Sequence, residues 1–387
     1  MTKEQQYFLH LVKSHLNNTK PEPPENIDFE GLFKVCELQD MTAIAAIELK
    51  KLPAEHRLSK EDFSPFNQVL GLTLQNYEYK QEGIRLLTDT LTENGIKHLF
   101  IKGAAIRELY PVPEVRTSGD TDVIVDSADL ERTATLLAGC GFKDVHSTDV
   151  EHDLKYRGED YEIKCEIRAI NADIKAYFAD ILHSDMCENS GGSAYKMQPL
   201  CHLVYITSHL LRHFKSGGAG VRQLADMDVI MRNCNIDFTE YLAICKSLGI
   251  EKSSKVLLSL CKEFFATPID FEYEIEPELL EILHKVMLEG GTFGYGIGDV
   301  GTTHLMHSEG STAKAVLGLF AVNKERLYHD YKYAREHRIL LPVAYVSRLY
   351  SAVFKRGRQN AQHIRSMFTD REVATELSAM LEELEIK

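Results

Sequence analysis

The sequence predicts an α+β fold: a small unit of alternating strands and helices at about residues 85–185, set between an N-terminal helical region (1–84) and a large C-terminal helical domain (186–387). Apolar residues recur at helical spacing on both flanks, and between them the period shortens to two. Glycine and proline punctuate the changes of period. A chain of 387 residues that is 44% hydrophobic and 26% charged can enclose more than one sizeable core, and its composition excludes a disordered class.

In chain order, Tyr7, Phe8, Leu11, Val12 and Leu16 form a helical stripe that Pro21-Glu-Pro-Pro24 terminates. A second helical stretch covers about 29–51, and a third runs from about Pro65 to the stop pair Asn94-Gly95. Lys97–Ile101 then reads as a strand, Gly103–Leu109 as a short helix, and Thr121–Val125 as a second strand. Ser127–Cys140 is an amphipathic helix that Ser127 is placed to cap, and residues 144–156 read as a strand pair. From Tyr161 to Ile170 the alternation sets Tyr161, Ile163, Cys165 and Ile167 on one face and Glu162, Lys164, Glu166 and Arg168 on the other. Helical periods return at 198–215, 219–233, 239–248, 250–265, 276–289 and 311–337. Two loops interrupt them, at Ser216–Gly220 and Gly290–Gly301.

Composition narrows the function. The longest apolar run, Ala315–Val322, has eight residues against the roughly 20 of a membrane span, and the first residues lack the apolar core of a secretory signal, so a cytoplasmic location is expected. Eight cysteines with no Cys-x-x-Cys pair read as reduced thiols and exclude the usual zinc and redox motifs. The net charge of −14 opposes a long polyanionic partner. Lys324–Arg365 departs from this, with ten basic residues against three acidic ones. Its tyrosines fall at helical spacing around an apolar Leu340–Ala344 stretch, so it reads as a docking surface or a shield against the acidic remainder rather than a nucleic-acid track.

The segment richest in chemistry is Leu99-Phe-Ile-Lys-Gly103 followed by Tyr110-Pro111, Arg116, and Ser118-Gly-Asp-Thr-Asp122. Strand spacing puts the carboxylates of Asp120 and Asp122 on one face at the start of a strand, and Gly119 lets the chain turn into it. Two hard anionic ligands so placed suit Mg²⁺, or Mn²⁺ in its stead. A third carboxylate from the next acidic strand would complete the set, and Glu166 is the candidate. On the long helical stretch, His202, His209 and His213 share one stripe. Without a further ligand in sequence, that stripe indicates packing or acceptor contact rather than a metal. Gly296-Ile-Gly298-Asp-Val-Gly301 has the dinucleotide-loop spacing but neither the preceding strand nor the following helix, and reads as a flexible loop.

A strand, a glycine turn into a helix, Asp-x-Asp on the next strand and then a further acidic strand together resemble the polymerase β-like nucleotidyltransferase superfamily. Lys102-Gly103, Tyr110-Pro111 and Arg116 before Asp-x-Asp are similar to an uncharacterised bacterial branch often associated with surface-polysaccharide gene clusters. So are the His-x-x-x-His segment with Arg222 and Asp226, and the Leu340-Leu-Pro342 stretch; the similarity covers about residues 90–355. One departure concerns the third strand, where the branch usually has Glu/Asp-x-His and this chain has Glu166-Ile-Arg168.

The resemblance implies a polymerase β-like core that moves a nucleoside monophosphate from an NTP, expected to be ATP, to a small-molecule or protein acceptor by a two-metal mechanism. It implies that Asp120, Asp122 and Glu166 are the catalytic and metal-binding residues. Lys102, Gly103, Arg116, Ser118 and Gly119 would bind the nucleotide, and His209, His213, Arg222 and Asp226 would stand on the acceptor side. The alternatives are a catalytically inactive nucleotide-binding module and a transferase acting on RNA ends.

Overall fold

The computed structural model describes residues 1–292, 294, 327, 333, 337–350 and 371–386. The 296–301 glycine loop, most of the 311–337 helix and most of the basic Lys324–Arg365 stretch lie outside the described residues. The architecture is α+β, as the sequence predicts: helices enclose a seven-stranded mixed sheet among the described residues.

Three helices, α1 (Lys3–Leu16), α2 (Phe29–Leu38) and α3 (Thr42–Lys50), form the N-terminal layer. The predicted single helix over 29–51 is broken at Asp40, which takes φ of 52°. This left-handed residue turns the chain so that both halves bury their apolar sides against α1. Helix α4 (Lys60–Glu93) is 34 residues long, about 50 Å at 1.5 Å per residue. Ser59 caps it, and its first residue lies five ahead of the predicted start. Its first half packs Phe66 and Leu70 with the N-terminal helices, and its second half packs Leu87 and Leu91 beneath the sheet, so one helix runs through the expected boundary at residue 84.

The strands are β1 (His98–Ile101), β2 (Asp120–Val125), β3 (Lys143–Ser147), β4 (Glu151–Tyr156), β5 (Glu159–Lys164), β6 (Cys187–Gly191) and β7 (Ala194–Met197). Their order is β3-β4-β5-β2-β1-β7-β6, with β2 antiparallel to β1 and parallel to β5. Between β1 and β2 lies the one-turn helix α5 (Gly103–Ile106), and between β2 and β3 lies α6 (Leu130–Gly139). The expected Ser127 cap is not formed: residues 127–129 make a 3₁₀ turn and α6 starts after it. Helix α7 (Ala172–Tyr177) and the β6–β7 hairpin complete the unit. The hairpin joins the sheet through the parallel pairing of β7 with β1 at His98 and Leu99, and Met197 packs into the same core as Leu99.

Alternation divides the sheet between two cores. Val123, Val125, Tyr161 and Ile163 pack with α4 and α6 on one face, and Leu99, Ile101 and Ile124 face the helical core on the other. The close approach of α4 to β5 depends on Gly83, where a Cβ would collide with the Tyr161 hydroxyl. The helical core is built from α8 (Pro199–Lys215), α9 (Val221–Asn233), α10 (Phe238–Ser247), α11 (Glu251–Phe265) and α12 (Pro277–Glu289), and α1 packs on α11. Helices α13 (Leu341–Tyr350) and α14 (Arg371–Glu383) follow, the latter against α12. No helix among the described residues is long and apolar enough to cross a membrane.

Candidate active site

The carboxylates gather because of register. In the parallel β2–β5 pair Asp122 stands beside Glu162, and their side chains share the sheet face that looks toward α8 and α9. Oxygen atoms of Asp120, Asp122 and Glu162 lie within 4.8 Å of one another. Glu162 also stands next to Asp153 of β4, and with Glu151 these two form a second acidic group on the same face.

Two lysines neutralise the cluster. Lys102 Nζ donates to Asp122 Oδ1 at 2.6 Å and lies 3.6 Å from Asp120. Lys164 Nζ donates to the same Asp122 oxygen at 2.6 Å and also bonds Glu162. Lys102 reaches across from the end of β1 because its backbone takes φ of 52°, a strained value for a non-glycine residue. Gly103 then packs against Arg116 and Ser118 with no room for a side chain. A methyl there would strike the Arg116 guanidinium. Gly103→Ala is therefore expected to cost roughly 1–3 kcal/mol of stability, read by denaturant unfolding, because that guanidinium is fixed by its partners.

These side chains line a cleft of about 320 Å³ that α8 and α9 close from the other side with His209, Arg212, His213, Arg222, Gln223 and Asp226. A larger cavity of about 490 Å³ lies beyond the other end of β2, around Asp126, Phe178 and His183, and holds none of the three carboxylates. The acidic cluster therefore lies at the smaller cleft.

Residues 25–266 match a protein family described as uncharacterised nucleotidyltransferase. The chain belongs to this family. No curated protein and no solved structure matched it. The match starts earlier than the expected residue 90, within the N-terminal helices, and ends before the Leu340-Leu-Pro342 stretch.

In this family member the acid that the structure brings to Asp120 and Asp122 is Glu162, not the expected Glu166. Strand β5 ends at Lys164, and the chain turns there: Ile163 packs with one core and Ile167 with the opposite one. Glu166 is consequently turned out, half exposed and paired with Lys175 at 2.7 Å. Glu162 takes the position beside Asp122, and a similar Glu-Ile-basic triplet, Glu162-Ile-Lys164, stands four residues ahead of Glu166-Ile-Arg168.

Arg116 also differs from a free phosphate ligand. Its Nε and Nη2 donate to the two oxygens of Asp226 at 3.2 and 2.5 Å, and Tyr110 Oη donates to the same carboxylate at 2.8 Å. Burial opposes the Arg116 charge, but Asp226 outweighs it and holds the guanidinium firmly cationic. Tyr110 and Arg116 thus join Asp226, more than 100 residues away in sequence, in one latch between the loop ahead of β2 and helix α9. Arg222 bonds Asp40 and the Thr117 hydroxyl, the latter at 3.2 Å, which ties the N-terminal layer to the same loop.

Lys80 of α4 was not legible as a site residue. Its buried ammonium donates to the carbonyls of Ser118 and Gly119 at 2.8 and 3.1 Å and pairs with Glu159 at 3.0 Å. Ser118 Oγ accepts from Arg107 at 3.0 Å, so both polar groups of Ser118 serve to hold the loop.

On α8, Arg212 Nη2 donates to His209 Nδ1 at 3.2 Å, which leaves the proton of His209 on Nε2 to be donated to His213 Nε2 at 3.1 Å. Burial, Lys102 and the neighbouring cations push His209 well down, and burial with Arg212 pushes His213 down to about 3. Both rings are neutral at physiological pH and line the cleft. Burial pushes Asp122 up, but Lys102 and Lys164 together outweigh it and keep its carboxyl below the ordinary range. Glu162 has the opposite balance: burial and the charge of Asp122 exceed the effect of Lys164 and push it up to about 7.

Proposed function

We propose that the protein transfers a nucleoside monophosphate from an NTP, with ATP as the expected donor, to a hydroxyl of a small-molecule or protein acceptor, using Mg²⁺ or Mn²⁺. The observation that carries this reading is the meeting of Asp120, Asp122 and Glu162 within 4.8 Å, with Asp120 and Glu162 lining a cleft beside Lys102, Arg168 and Arg212 and Asp122 buried behind them. Hard oxygen donors of this kind suit a divalent ion that keeps part of its shell for water and phosphate. Asp120 and Asp122 would hold it. Once bound, such an ion neutralises phosphate charge and polarises the phosphoryl group under attack.

The chain's own groups supply the rest. Lys102, on a turn at the cleft rim, can leave Asp122 for a phosphate oxygen, and Arg212 faces it from α8. Arg116, with its fork on Asp226, acts by fixing the loop that carries Asp120. Glu162 is placed to accept the acceptor's proton, since a carboxyl titrating near 7 is half ionised at working pH. A cleft of about 320 Å³ favours a compact acceptor group.

Label from [α-³²P]ATP, but not from [γ-³²P]ATP, should appear on an acceptor in a metabolite or protein extract when Mg²⁺ is present. Transfer of γ-label instead would end the nucleotidyl reading. The rate should rise with pH through about 7, because Glu162 can take a proton only once it has lost its own. Glu162→Gln should flatten that rise and slow transfer by about 10²–10⁴-fold. A pH profile of the variant with the same rise would assign the base elsewhere.

A further inference from the structure

We infer that Lys164 occupies the position a second divalent ion would need, so that the site takes one ion and an ammonium instead of a pair of ions. The inference rests on the nucleotidyl-transfer reading and deepens it. A two-ion carboxylate site needs one carboxylate to bridge both ions and a third carboxylate to complete the far one. Here Asp122 is the residue placed to bridge, since it stands between Asp120 on its own strand and Glu162 on β5. The space between Asp122 and Glu162 is taken. Lys164 Nζ lies 2.6 Å from Asp122 Oδ1 and bonds Glu162 on its other side.

The two lysines differ in what holds them. Lys102 sits at the end of β1, on the turn into α5, and its side chain is 17% exposed, so it can swing aside when an ion reaches Asp120 and Asp122. Lys164 belongs to a strand paired on both sides, by β2 and β4, and its side chain is only 6% exposed. To leave, its ammonium would have to give up two carboxylates with little access to water. A dication at the same point would meet that charge within bonding distance. Asp120 and Asp122 therefore remain for one ion, while Lys164 supplies a fixed positive charge on the acceptor side and keeps Glu162 aimed at it.

The test counts ions on the full-length chain. Mn²⁺ binding is measured by electron paramagnetic resonance, with and without the α,β-methylene analogues of the four ribonucleoside triphosphates. With a bound analogue, the wild type should hold one Mn²⁺ per chain and show no exchange-coupled pair. Lys164→Met should admit a second ion, coupled to the first at the roughly 4 Å spacing of two-ion sites. Lys164→Arg, which keeps the charge, should still hold one. Two coupled ions in the wild type would overturn the inference while leaving nucleotidyl transfer in place. An unchanged count in a folded Lys164→Met would overturn it as well. If Lys164→Met does not fold, the wild-type and Arg-variant counts decide between one ion and two. Failure of every analogue to bind the wild type would remove the nucleotidyl reading itself, and the inference with it.

Discussion

Asp122→Asn should cost both turnover and stability, whereas Asp120→Asn should cost turnover alone. Both changes weaken the seat for a divalent ion. An ion worth several kcal/mol at the transition state corresponds to a loss of roughly 10³-fold or more in label transfer. Their structural consequences diverge, because Asp120 is 38% exposed and lies 3.6 Å from its one lysine, while Asp122 is 1% exposed and accepts two ammonium groups on a single oxygen. From sequence, both aspartates look like surface groups at the head of a strand, and the double variant would be expected to leave the fold nearly intact. The structure changes that expectation. Neutralising Asp122 strands part of the Lys102 and Lys164 charge in a buried site, which costs about 3 kcal/mol. In a chain of 387 residues a loss of this size lowers the melting temperature by roughly 4 °C. The sign with pH follows from the depressed Asp122 carboxyl: its contribution is present at neutral pH and is lost as the pH falls through its folded-state titration. The gap between wild type and Asp122→Asn should therefore close in acid. Equal melting temperatures for the two variants at neutral pH would show that Asp122 does not carry the buried charges.

Asp226→Ala should be the most destabilising single change in the latch. It leaves the Arg116 guanidinium, 6% exposed, without its counter-charge and the Tyr110 hydroxyl without its acceptor. Breaking a buried pair from one side costs about 3–5 kcal/mol, visible in denaturant unfolding. Replacing both partners by apolar groups, as in Arg116→Met with Asp226→Leu, should recover much of that stability, since no buried charge is then left alone. Transfer should not recover with it. The latch fixes the 116–119 loop whose next residue is Asp120, and an apolar pair cannot hold that loop by directed hydrogen bonds. A double variant that regains both stability and full activity would reduce Arg116 and Asp226 to packing residues.

The legible and the hidden parts of the site follow one distinction. Asp120 and Asp122 could be read because both lie on one strand, where a spacing of two fixes a shared face. The third carboxylate lies on another strand. Glu162, Lys164, Glu166 and Arg168 all occupy the same predicted face, and alternation cannot say where the strand stops or which residue meets β2. Only the register, Asp122 beside Glu162, and the end of β5 at Lys164 choose among them. A slide of two residues preserves the face and changes the partner, so the local pattern is blind to it. Lys80 was hidden for a related reason: on a 34-residue helix it is one of many polar positions, and its role arises where that helix crosses the loop ahead of β2.

The sequence by itself determined the α+β class, most of the helices, the strand at 120–125 with its paired aspartates, and the family resemblance carried by Lys102-Gly103, Arg116 and the histidine helix. Each of these depends on periodicity or on residues close together in the chain. Tertiary structure decided which acid completes the cluster, that Arg116 spends its fork on Asp226, and that Lys164 stands between Asp122 and Glu162. Those outcomes depend on strand register and on contacts across 20 to 110 residues of sequence, where charge balance and burial choose the partners.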